Sequence, residues 1–174
     1  MKPKTLFTIL LFVLLACDIG YAQEDAQIYS EAVKAARAGE INFAFMYFRG
    51  ILTSYPESKY REDALFANAE YYFSIADYYD AIQSFIKFLN DYPDSKGKPF
   101  ALAYLLKIAQ IQGRDSLAQD LENNLVNLQR LSLMFRNSKE YKYRSPLYRN
   151  LNLIYYIDKI EFYVDKELVA KISY

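Results

Sequence analysis

The chain has no histidine and no tryptophan, a single cysteine (Cys17), and only five scattered glycines among its 174 residues. Each absence closes a route to function. Without histidine the commonest general base, triad partner and metal ligand are missing. Cys17 sits in the N-terminal apolar run, so neither a disulfide, a thiol nucleophile nor a thiolate metal site is expected. Scattered glycines make no loop that could cradle a phosphate. The charges cancel to zero formal net charge, which argues against nucleic acid as a partner. Carboxylate pairs remain, Asp77 with Asp80 and Asp91 with Asp94, but at helix ends and turns, where aspartate caps. A carboxylate-based hydrolase is therefore an alternative with nothing to mark its cleft. No catalytic residue, metal or cofactor is expected.

What is present is apolar and aromatic: 53% of the residues are hydrophobic, with 18 Tyr and 12 Phe, which suits a packed helical core and argues against disorder. The N-terminus reads as an export signal. Lys2 and Lys4 precede an apolar run from Leu6 to Ala16, too short for a comfortable membrane span. Two processing readings stay open. Gly20-Tyr21-Ala22 offers small residues before Gln23, giving a signal peptide over 1–22. Leu14-Leu15-Ala16-Cys17 offers a lipobox, giving a signal over 1–16 and lipidation of Cys17. Either processing makes the protein exported and periplasmic, the second with a membrane anchor.

Residues 23–130 read as helical hairpins. Helices are predicted over 25–38 and 41–54, then from Ser58, as N-cap, to about Ala76, and over 78–90, 100–112 and 115–128. Pro56 and Pro93 end the second helix of the first two hairpins, because the residue before a proline is steered out of the α region. The boundary Tyr55-Pro56-Glu57-Ser58-Lys59 recurs as Tyr92-Pro93-Asp94-Ser95-Lys96. At that shift of 37 residues Ala44, Ala81 and Ala118 coincide, as do Phe48 with Phe85, Ile51 with Phe88 and Leu125, and Gly39 with Ala76 and Gly113. Alanine lets two helices approach closely while a large ring one turn later fills the groove beside it. Glu122 departs from the pattern, standing where the first two copies place phenylalanine. One hairpin cannot bury its faces alone, so about three are needed.

These residues resemble the tetratricopeptide repeat (TPR). Ala69, Tyr72, Ala81, Phe85 and Pro93 carry the likeness in the central copy, and Ala32, Ala44, Phe48 and Pro56 in the first, where Ala35 replaces the expected tyrosine; the third keeps Ala118. The Tyr-Pro-x-Ser link is similar to repeats of BamD-like outer-membrane assembly lipoproteins and of YbgF-type Tol–Pal coordinators. The resemblance covers about residues 25–130. It implies an all-α, right-handed superhelix of about three hairpins, and a non-enzymatic adaptor or scaffold that binds another envelope protein. The alternative it implies is a lipid-anchored accessory of outer-membrane protein assembly. It also implies a concave surface lined by the first helix of each hairpin: Tyr29, Val33 and Arg37, then Phe66, Glu70 and Phe73, then Lys107 and Gln110. Aromatics among mixed charges suit an extended peptide or a helix. The competing reading has Phe66 and Phe73 packing against the chain's own C-terminal segment, folded back into the groove.

Residues 131–174 change character. Arg136, Lys139, Lys142, Arg144 and Arg149 alternate with Phe135, Tyr141, Tyr143 and Tyr148, which reads as a basic aromatic linker, or as a contact for anionic lipid headgroups. Ile160, Phe162 and Val164, answered by Leu168, Ala170 and Ile172 across Asp165-Lys166-Glu167, predict a β-hairpin. Leu147, Leu151 and Ile154 could instead start a helix.

Overall fold

The computed structural model describes residues 24–127 and 138–173. The signal segment with Cys17, and Phe135 and Arg136 of the basic stretch, lie outside them. Three helical hairpins come first: α1 (24–38) with α2 (Ile41–Ser54), α3 (Arg61–Ser74) with α4 (Tyr78–Asp91), and α5 (Lys98–Ile111) with α6 (Asp115–Asn127). Each hairpin turns through one left-handed residue, Gly39 (φ 78°), Ala76 (φ 60°) and Gly113 (φ 63°), where glycine has no Cβ penalty and alanine does. Tyr55 and Tyr92, each before a proline, end α2 and α4 with nearly the same backbone, φ −132° in both.

The repeated serine does something other than cap α3. The residue preceding that helix is Tyr60, which contributes no side-chain cap. Ser58 Oγ instead accepts the Tyr60 N–H (3.1 Å) and donates to Asp25 Oδ2 (2.7 Å); one repeat later Ser95 Oγ accepts the Gly97 N–H (2.9 Å) and donates to Glu62 Oε1 (2.6 Å). The motif thus ties the end of each hairpin to the start of its own first helix. Ala44, Phe48, Ile51, Ala81, Phe85 and Phe88 are fully buried, as their spacing requires.

The C-terminal region is larger than a hairpin. Strands β1 (Ser138–Arg144), β2 (Asn150–Tyr156), β3 (Lys159–Val164) and β4 (Glu167–Ser173) form one antiparallel meander in the order β1-β2-β3-β4. The basic aromatic stretch contains β1, whose alternation is that of a strand, and Leu151 and Ile154 belong to β2 rather than to a helix. Leu151, Leu153, Tyr155, Ile160, Phe162, Val164, Ala170 and Ile172 point into the core. The predicted face of β4 holds for Ala170 and Ile172 and fails for Leu168: a bulge between Phe162 and Tyr163 pairs Leu168 with Tyr163 and leaves it exposed. The turn into β4 is Asp165-Lys166, both at positive φ (48° and 77°), with Glu167 already paired to Val164.

The sheet packs on the helices. Tyr143 of β1 stacks on Phe100 (5.4 Å between centroids) and meets Phe66 edge-on (5.3 Å), while Phe162 of β3 meets Tyr104 edge-on (5.1 Å). Helix α5 is consequently buried around its whole circumference, from Phe100 through Leu106 and again at Ile108 and Ala109. A helix apolar on all sides needs cover on all sides. Here α4 and α6 supply one flank and the sheet another.

Candidate functional site

The side that a repeat array normally leaves open is occupied by this chain's own sheet. The β1–β2 loop, residues 145–149, reaches furthest. Leu147 is buried in the cluster of the first hairpins, together with Ala32, Ala35, Ala36, Ala64 and Ala67. The stripe of alanines leaves room that an aliphatic side chain from elsewhere fills. Beside it Tyr148, held at φ 64°, accepts a hydrogen bond from Arg37 Nε, and the guanidinium lies over its ring with Cζ 4.9 Å from the centroid. The β3–β4 turn braces this loop: Asp165 accepts from the Asn150 N–H (2.9 Å) through Oδ1 and donates its own N–H to the Asn150 carbonyl (2.9 Å).

Beneath the loop lies Glu70, fully buried on α3. The Tyr104 hydroxyl donates to its Oε1 at 2.8 Å, while Oε2 has no partner of good hydrogen-bond geometry. Burial raises the carboxyl to about 7; hydrogen bonding from Ser145 and Tyr104 and the charge of Arg149 pull it down, and Asp165 pushes it up. The Tyr104 hydroxyl is raised well above its usual range by its own burial, then by Glu70. Tyr143 is raised in the same way, by burial first and then by Asp63 and Glu70.

Of the residues predicted for the concave surface, Phe66 and Glu70 face the chain's own side chains and are closed off from water. Tyr29 is half-buried, stacked on Tyr60 (4.0 Å) and donating to Asp63 Oδ2 (2.5 Å), so it ties α1 to α3. Arg37 and Phe73 share one feature, a cleft of about 670 Å³ at the seam between the first hairpins and the sheet. Lys107, half-buried, and Gln110, exposed, do not line it. The cleft's other walls come from the sheet: Leu147, Tyr148 and Arg149 of the loop, and Val164, Asp165, Glu167 and Val169 of the last hairpin. None of these was predicted for the concave surface, although Tyr148 and Arg149 belong to the basic aromatic stretch read as a linker or a lipid-headgroup contact. The available signal was the cation–aromatic pair Tyr148-Arg149, set among the same residues that read as a linker. The arrangement offers apolar walls with two guanidinium groups and two carboxylates, suited to holding a chain segment.

Among the described residues no group of three or more acidic, cysteine or histidine side chains could hold a metal ion, and no helix is long and apolar enough to cross a membrane. A family model described as outer membrane lipoprotein, YfiO, matches residues 21–155. No curated protein matches the chain. The matched stretch begins after Cys17 and ends inside β2, leaving β3 and β4 beyond it.

Proposed function

This chain belongs to the YfiO family of outer membrane lipoproteins, and from that premise we propose that it is an exported, non-enzymatic scaffold holding another protein of the bacterial cell envelope. Family membership places it among exported, envelope-associated lipoproteins of BamD-like, TPR-containing type. The observation that carries the binding reading is the cleft between Arg37 and Phe73 on the helices and, opposite them, Arg149 of the β1–β2 loop and Val169 of β4. Its apolar walls and mixed charges fit an extended segment or a helix of a partner. Photo-crosslinkers replacing Arg37 and Val169 in the native envelope should both capture one protein, and a crosslinker replacing Gln83, exposed on α4 away from the cleft, should not. Equal capture at all three positions, or none at the first two, would refute the cleft as the docking place.

The family description also favours a second, compatible reading, a lipid-anchored accessory of outer-membrane protein assembly. Its anchor would be Cys17 in Leu14-Leu15-Ala16-Cys17. Palmitate should label the wild type and not Cys17→Ser; an unlabelled wild type removes the anchor.

A further inference from the structure

Helix α2 carries an apolar stripe that its own fold does not use. Phe43, Met46 and Tyr47 are 59%, 64% and 38% exposed, and with Gly50 they occupy i, i+3, i+4 and i+7 of the outward face. The repeat supplies an internal comparison. At a shift of 37 residues the same face of α4 presents Asp80, Gln83, Ser84 and Lys87, all polar. So exposure on this side of a hairpin does not call for apolar residues. Gly50 is equally unexplained by the monomer. It sits inside the helix, where glycine is a poor helix former, and a Cβ there would meet nothing within 4 Å.

We propose that this stripe is the interface for a second copy of the chain, with two α2 helices crossing antiparallel about a two-fold axis between Met46 and Tyr47. The stripe complements itself in that arrangement. The axis sets Phe43 of each copy over Gly50 of the other, a large ring entering the gap that a missing side chain leaves. The thioether of Met46 meets the ring of Tyr47, a favourable sulfur–aromatic pairing. The central stripe carries no charge, so the axis brings no like charges together there. Arg49, at one border, comes beside Asn42 of the second copy, and Glu40, at the other, beside its Ser54; both are neutral polar groups. The three large side chains leave on the order of 300 Å² of surface in water per copy. With the polar border the face approaches the ~600 Å² per partner at which small specific interfaces begin. That area fits a reversible dimer rather than an obligate one.

The test is sedimentation of the exported chain carrying Cys17→Ser, which removes lipid and disulfide as sources of association. A dimer that grows with concentration is expected. Phe43→Asp and Gly50→Leu should each weaken it about tenfold or more while leaving the circular dichroism spectrum unchanged. Gly50→Ala separates the interface from the fold: it should raise the melting temperature, as alanine does in a helix, and weaken the dimer. Met46→Cys should give disulfide-linked dimers on oxidation, and Gln83→Cys on α4 should not. A wild type that stays monomeric up to its solubility limit overturns the proposal. So does Gly50→Ala that associates as well as wild type, or crosslinking through Met46→Cys that captures only a different protein.

Discussion

The hydroxyl of Tyr104 donates to Glu70 Oε1 at 2.8 Å across the contact between α5 and α3, with neither side chain reaching water. One carboxyl oxygen is thereby supplied with a donor, and Ser145 and the charge of Arg149, both on the β1–β2 loop, also act on the carboxyl. Whether the sheet sits well on the helices is therefore linked to a proton.

The sign of that linkage is definite. Glu70 has its folded pKa raised to about 7 from an ordinary 4.5, so the folded chain holds a proton that the unfolded chain has lost between those values. Its contribution to stability is complete below about pH 4.5 and is lost as pH rises through 7. The loss is roughly 3 kcal/mol. Asp63, also raised by burial, acts in the same direction, and the lowered Glu140 and Glu161 in the opposite one, so the difference from a variant isolates Glu70. Glu70→Gln should match the wild type in urea midpoint near pH 4.5 and exceed it at pH 8. Parallel curves for the two chains across that range would sink the assignment.

Leu147 fills the space left by the alanines of α1 and α3. Leu147→Ala should cost about 2–4 kcal/mol in chemical denaturation. It should also speed amide exchange in residues 145–149 relative to α4. A loss spread evenly over all amides would mean that the loop does not open separately from the hairpins.

The serine latches are testable one at a time. Ser95→Ala removes the donor to Glu62 and the acceptor for Gly97 N–H, and should cost about 1–2 kcal/mol. Ser58→Ala should cost a similar amount through Asp25 and Tyr60. An unchanged melting temperature in both would show that the serine hydroxyls do not hold the hairpins together.

Ala76 occupies a left-handed position that the other two hairpins give to glycine. Ala76→Gly should stabilise the chain by about 0.5–1 kcal/mol, the relieved backbone strain outweighing the added freedom of the unfolded state. Destabilisation would mean that the methyl group makes contacts worth more than the strain.

The helical part was legible because its signals are local and repeated. Alanine at 44, 81 and 118 marks close helix contacts, and the residues before Pro56 and Pro93 mark helix ends, each with one physical cause. The sheet was harder for reasons just as specific. Its turns use Tyr148, Asp165 and Lys166 at positive φ in place of the glycine or asparagine that announces such turns. Glu140, Lys142 and Arg144 of β1 face water in alternation with Tyr141 and Tyr143, and Lys139 lies over the Tyr141 ring, so a strand of seven residues looks like a solvated charge run. The bulge at Phe162/Tyr163 then shifts the β4 alternation at Leu168. Repeat positions pointed to the cleft only through Arg37 and Phe73, because most of its wall comes from a sheet that tetratricopeptide spacing does not describe. One clue was present throughout: Phe100 to Leu106 is apolar around the full turn of the helix, which a simple array of three hairpins would leave partly bare.

The bond from Arg37 to Tyr148 joins residues 111 positions apart. In an open solenoid each unit touches only its neighbours, so units can fray from an end, and units can be added or removed without the rest noticing. A loop from the last element wedged into the first hairpin removes that freedom. The number of hairpins is fixed by the reach of the sheet, and the termini lose their independence. The chain should melt as one body, and it should reach the native state more slowly than its helical content suggests, because contacts of such long sequence separation close large loops.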